Sequence, residues 1–212
     1  MCAGCRTQFI TRPTTRCAHC AISLTTKDQH QRCGACLSNQ PSFDHTVAAV
    51  NYSAPFDQLV LALKFGHRLP LANLFADLLR DAILQDAQQQ LPDILCPVPL
   101  GLHRLSERGF NQSLEIARPL SVNLGVSLHP KLLHRNRETA QQSSLHPDQR
   151  HKNMRNAFIV DHLSIDLIKG KHIAVIDDVM TTGTTLNEIA GLLKRFGATR
   201  VSNFVFARTP LH

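Results

Sequence analysis

The 212 residues carry 43% hydrophobic side chains at a mean hydropathy near zero, which describes one ordinary core domain with a small appendage. No run of about 18 apolar residues occurs to span a bilayer, and the opening MCAGCRTQFI lacks the apolar stretch of a secretory signal, so a cytoplasmic location is expected. The net charge of +7 is concentrated: segment 101–156 holds nine Lys and Arg against four Asp and Glu, which suits phosphates on a small molecule or a nucleic acid, though on charge alone a solubilising face is the preferred reading.

Residues 1–45 are Cys-, Thr- and Gln-rich with little apolar periodicity, and need a staple to fold. Six of the seven cysteines form the pairs Cys2/Cys5, Cys17/Cys20 and Cys33/Cys36. Clustered CxxC pairs in a reducing compartment read as metal knuckles before they read as redox pairs. Cys17, Cys20, Cys33 and Cys36 supply one complete tetrahedral set for a structural Zn²⁺. Cys2 and Cys5 are left without a partner pair, or replace one of the others in a single site. His19, inside a knuckle, is expected to face solvent.

From residue 46 to 212 the pattern changes to alternating strand and helix signals, which sets the expected domain boundary. Thr46–Tyr52 reads as a strand, and 55–65 and 69–84 as two helices. The segment 93–98 is a short apolar strand, and 111–124 a helix with a kink expected at Arg118-Pro119. The polar stretch 133–156 reads as a loop with room for one helix. Strands at 157–160, 172–176 and 200–207 and a helix at 184–196 follow, with Gly197 as C-cap. Interleaved strands and helices predict an α/β domain with a parallel sheet flanked by helices.

The most informative segment is GKHIAVIDDVMTTGTT, residues 170–185. Ile173 to Ile176 is a continuous apolar run suited to a central parallel strand. Asp177 and Asp178 follow, then Thr181, Thr182, Gly183, Thr184 and Thr185, then a helix. Ligands in open α/β sheets bind beyond the carboxyl ends of strands, where loop amides and a helix N-terminus form an anion nest. Gly183 permits a tight turn and close backbone approach. Two carboxylates beside a phosphate repel it, so they serve another part of the ligand, and a ribose diol is the natural donor. GxxxxGK[ST] and GxGxxG are both absent.

A second constellation, CPVPLGLHRLSERGFNQ at 96–112, follows the strand at 93–98. Two prolines rigidify the loop, Arg104 and Arg108 offer forked donors to a phosphate, and Asn111 and Gln112 open a helix.

Taken together, the Cys-rich start, YSAPFDQLVLALKF at 52–65, PVPLxxxRxxxRGFNQ and the DD…TTGTT loop resemble the ComF/GntX family, over nearly the whole chain. That family contains zinc-finger, type I phosphoribosyltransferase-like proteins linked to competence and the use of DNA. The resemblance implies that Asp177 and Asp178 bind the ribose hydroxyls of 5-phosphoribosyl-1-pyrophosphate (PRPP) and that Thr181–Thr185 cradle its 5′-phosphate. It implies a pyrophosphate loop at Cys96–Pro99, including Pro97, Val98 and Pro99. Arg104, Arg108, Gly109, Asn111, Gln112 and Lys64 match the family's signature beside it. Arg137, Thr139, Gln141, Arg150 and Asn153 would belong to a flap that closes over the substrate. Similar proteins often carry four CxxC pairs; this chain has three.

These readings lead to a phosphoribosyltransferase using Mg²⁺ with PRPP, its acceptor named by no motif. The competing reading is an accessory protein of DNA uptake that binds single-stranded DNA or other uptake proteins, or senses PRPP without turnover. Against DNA stacking stands an aromatic content of 5%, with no Trp and one Tyr.

Overall fold

The computed structural model describes residues 1–10, 15–24, 32–88, 90–136 and 157–210. Two short helices, α1 (Ala3–Phe9) and α2 (Gly34–Ser38), precede strand β1 (His45–Asn51). Then come α3 (Phe56–Phe65), α4 (Leu71–Leu84), β2 (Ile94–Pro97), α5 (Leu102–Arg108), α6 (Gln112–Leu124) and β3 (Ser127–Leu128). An antiparallel ribbon pairs β4 (Leu133–Arg135) with β5 (Phe158–Val160). A short helix α7 (Ile165–Ile168), β6 (His172–Met180), α8 (Thr184–Arg195) and β7 (Arg200–Arg208) complete the described chain. Among the described residues no helix is long and apolar enough to cross a membrane.

The main sheet runs β1-β7-β6-β2-β3 with every neighbouring pair parallel, as the alternation of strand and helix signals predicts. Its central strands carry continuous apolar runs because helices cover both faces. One face packs Leu95, Ala174, Ile176, Phe204 and Phe206 against α3, α4 and α6. Phe75 of α4 stacks on Phe206, ring centroids 3.6 Å apart. The other face packs Val175, Val201 and Val205 against α8, the β4–β5 ribbon and the Cys-rich segment, whose Ile22 and Phe43 share that core.

One local outcome differs from the sequence reading. β6 continues four residues past Ile176 to Met180, because β7 carries the ladder on through Val205, Ala207 and Arg208. Asp177 and Asp178 are therefore held within a strand rather than in the loop that follows it. Residues 102–108 form α5, closed by Gly109 at a φ of +73°. Helix α6 continues through Pro119 as one element, with Ile116, Ala117 and Leu120 fully buried against the sheet across the missing amide.

The strand order creates the crevice. From β2 the chain moves outward to β3, while from β6 it moves the opposite way to β7. Because β2 and β6 are neighbours, the loops leaving their carboxyl ends diverge, which is where open α/β sheets bind ligands.

Candidate functional site

A cleft of about 300 Å³ opens at this divergence. On one side lies the turn between β6 and α8. Gly183 adopts φ +82° and ψ 3° immediately before α8, and a Cβ there would stand 2.5 Å from Met180 Cε. Glycine thus answers both the left-handed backbone and the close approach. Thr182 and Thr184 join hydroxyls at 2.9 Å, and the Thr184 amide reaches Thr182 Oγ1 at 3.4 Å. No acid occupies the first turn of α8, so its positive end is uncompensated there.

The acid pair forms the floor. Asp178 is only 3% exposed, and Lys64 Nζ, from the last turn of α3, stands 2.6 Å from its Oδ2. Asp177 turns to α6, where Ser113 Oγ donates to its Oδ1 at 2.9 Å and the Asp178 amide donates to the same oxygen at 3.0 Å. Burial, reinforced by the neighbouring Asp178 charge, pushes the Asp177 carboxyl up to about 7, against the Ser113 hydrogen bond and the Lys64 charge.

Opposite stands the loop after β2. Its backbone is fixed by Asn111, whose Nδ2 donates to the Val98 carbonyl at 3.0 Å while its Oδ1 caps α6 by accepting from the Ser113 and Leu114 amides. Arg108 donates to Gln112 Oε1 at 2.9 Å and lies 4.9 Å over the Phe65 ring. Burial lowers the Arg108 pKa, Asp178 opposes that shift and Arg104 adds to it.

Of the residues singled out from sequence, Lys64, Val98, Pro99, Arg104, Arg108, Gln112, Asp177, Asp178 and Thr181–Thr185 all line this cleft. Pro97 is buried in β2, and Asn111 stands behind the lining as the cap just described. Arg137, Thr139, Gln141, Arg150 and Asn153 lie outside the described residues. The cleft also takes Tyr52, Leu100 and Arg135, which the sequence reading did not select. Tyr52 directly follows β1, so the rule of strand carboxyl ends was a signal for it. Lys64, Arg104, Arg108 and Arg135 thus face two acids, an excess of positive charge suited to a polyanionic ligand.

Beyond the threonine turn lies the cysteine cluster. The sulfurs of Cys17, Cys20, Cys33 and Cys36 are buried within 4.8 Å of one another. Zn–S bonds of about 2.3 Å place tetrahedral sulfurs about 3.8 Å apart, so this set fits a metal ion such as zinc. The Cys20 and Cys33 sulfurs already lie 3.6 Å apart. A hydrogen bond from Cys20, helped by the Cys33 amide at 3.3 Å, lowers the Cys17 thiol to about 4. Burial and the Cys17 charge raise Cys36 to about 12, while the Cys17 hydrogen bond and burial raise Cys20. A divalent cation would convert such thiols to thiolates. Cys2 and Cys5 lie in and beside α1, outside this group. His19 is not at the surface as expected but 6% exposed, folded under the chain near Phe43, and burial lowers its pKa.

The family model described as the phosphoribosyl transferase domain matches residues 94–210. DNA utilization protein YhgH of Escherichia coli K12 is 36% identical over 198 residues, covering 92% of this chain and 85% of that one. Competence protein F of Haemophilus influenzae is 34% identical over 212 residues, covering 98% and 90%. Among solved structures, glutamine PRPP amidotransferase from B. subtilis aligns at 21% identity with a TM-score of 0.39, over 64% of this chain and 25% of that chain.

Proposed function

Because this chain belongs to the family of competence protein F and DNA utilization protein YhgH and carries a phosphoribosyl transferase domain, we propose that its cleft binds PRPP, or a closely related phosphoribosyl ligand, together with Mg²⁺. The observation that carries the reading is the joining, at one switch point, of an amide-rich threonine turn, an acid pair and four cationic side chains. In this reading the Thr181–Thr185 turn takes the 5′-phosphate and Asp177 and Asp178 take the ribose hydroxyls. The Val98–Pro99 loop, Arg104 and Arg108 take the pyrophosphate, with Lys64 and Gln112 beside them.

Mg²⁺ would neutralise pyrophosphate charge, and a carboxylate pair with water is a suitable donor set for so hard a cation. The residues themselves do the rest by position and charge. A nucleophile attacks C1′ as the C1′–O bond to pyrophosphate breaks, the bond's electrons leave with pyrophosphate, and the arginines stabilise that charge. We read residues 1–45 as a zinc-stapled module and 46–212 as the transferase-like domain, serving the uptake or use of DNA in the cytoplasm.

Titration calorimetry with PRPP and Mg²⁺ tests this: the wild-type chain should bind, and Asp177→Ala/Asp178→Ala should not. A wild-type chain that gives no heat with PRPP in Mg²⁺ sinks the reading. Binding without turnover is a second reading, favoured by one observation. Among the described residues lining the cleft the two carboxylates, Asp177 and Asp178, are already engaged by Ser113 and Lys64, and no His or Glu stands beside them to take a proton from an acceptor. Pyrophosphate release from PRPP, screened across nucleobases and amines, separates the two.

A further inference from the structure

Arg208 ends β7 and is 6% exposed, yet among the described residues no carboxylate pairs with it. Its guanidinium instead gathers main-chain carbonyls from two functional regions. Nε donates to the carbonyl of Cys20, in the metal knuckle, at 2.8 Å. Nη1 is shared among the carbonyls of Met180 at 3.1 Å, Thr181, and Thr209 at 2.9 Å. Met180 and Thr181 lead into the anion-binding turn. The knuckle's exit reinforces the join: the Ser42 amide donates to Asn187 Oδ1 of α8 at 2.6 Å. Phe43 lies beneath the turn, 3.8 Å from where a Gly183 Cβ would stand.

A buried cation without an opposite charge is costly unless its donors are fully used. Here they fix the direction of the turn. In a trans peptide the carbonyl of one residue and the amide of the next point opposite ways. The Met180 carbonyl is also held by the Thr209 amide of the ladder at 3.1 Å, so Arg208 acts chiefly on the Thr181 carbonyl, and holding that carbonyl toward Arg208 aims the Thr182 amide away from it. Arg208 lines the groove on the far side of the turn and is absent from the cleft lining, so away from Arg208 is toward the ligand side.

We propose that Arg208 is a positioning residue that couples the Cys₄ metal site to the anion-binding turn. Closure of the four sulfurs on metal sets the Cys20 carbonyl, that carbonyl sets the guanidinium, and the guanidinium sets the turn. The effect on ligand affinity rests on the phosphoribosyl reading above; the coupling itself does not.

Amide resonances of residues 181–185 in the ligand-free full chain report the turn directly. Stripping zinc from the wild-type chain with a chelator should shift them. Arg208→Met should shift them with zinc bound, and stripping that variant should move them little further. Arg208→Lys, which keeps the charge and part of the bonding, should stay near wild type. Resonances of β6 and β7 should hold throughout. If Arg208→Met loses those core signals, the stripped wild-type chain and Arg208→Lys decide instead. Turn resonances indifferent to zinc, or moved equally by stripping in wild type and Arg208→Met, overturn the coupling. In calorimetry with PRPP and Mg²⁺, zinc removal and Arg208→Met should each weaken binding about tenfold, without multiplying when combined. Multiplying losses also overturn it. Absence of PRPP binding in every form would defeat the phosphoribosyl reading and leave the resonance result standing.

Discussion

Lys64 and Asp178 meet at 2.6 Å beneath the cleft, the lysine half-covered at the end of α3 and the aspartate almost fully enclosed in β6. The ammonium is the cation the acid rests against in the ligand-free chain, and its reach across from another element ties α3 to the central strand. A lysine at a helix end is ordinarily a solvated charge; here it answers a buried one.

Removing Lys64 strands that carboxylate. Lys64→Met should lower stability by about 1–3 kcal/mol, the cost of leaving a buried acceptor unsatisfied. Adding Asp178→Asn should recover most of it, because the two changes are coupled. Urea unfolding of the two single variants and the double variant checks this, and additive losses would show that the pair does not act as one.

Asp177 makes stability fall with pH. Its folded pKa is raised to about 7 from an ordinary 3.8, so between those values the native state holds a proton that the unfolded chain has released. Stability from this group is therefore present below about 4 and is lost as pH rises through about 7. Asp177→Asn should match wild type at the acid end and exceed it increasingly toward pH 7, as followed by melting temperature. Affinity for PRPP with Mg²⁺ should rise in wild type as pH passes through about 7, where the folded chain's Asp177 ionises, and that rise should be absent in the variant.

Gly183→Ala places a side chain on a backbone at φ +82° and against Met180. The left-handed conformation alone should cost about 1–2 kcal/mol. Calorimetry with PRPP should show greatly weakened binding, because the turn cannot keep both its amides and its helix start in place. A variant with normal affinity would mean that the turn does not hold the ligand.

Metal content separates the ways of pairing the cysteines. The geometry predicts one zinc per chain, retained in Cys2→Ser/Cys5→Ser and lost in Cys36→Ser. Colorimetric release with a thiol-blocking reagent checks the count. Loss of metal in the Cys2/Cys5 variant would place that pair in the site after all.

What could be read from sequence followed the strength of each local signal. The β6–α8 junction was visible because an apolar run, an acid pair and a glycine turn occupy consecutive positions. The length of β6 was not: aspartates are poor strand formers, and only the partner residues of β7 extend the ladder through them. Helix α5 buries none of its residues, so no buried face marked its bounds. Arg135 reaches the cleft from a three-residue strand whose partner lies across a long insertion, a relation no local pattern encodes. His19 lies buried beside the backbone of Phe43, whose segment is tied to α8 through Ser42.

The pairing of β1 with β7 has a consequence for synthesis. Asn203 and Thr46 join side chains across 157 positions, and Arg208, the last residue of β7, holds the knuckle near the start. On the ribosome the first strand emerges with its future neighbour not yet made. Its edge must wait for β7, and the Cys20 carbonyl for Arg208, until those residues have left the exit tunnel. Such distant closure slows folding and leaves the early part exposed to wrong partners.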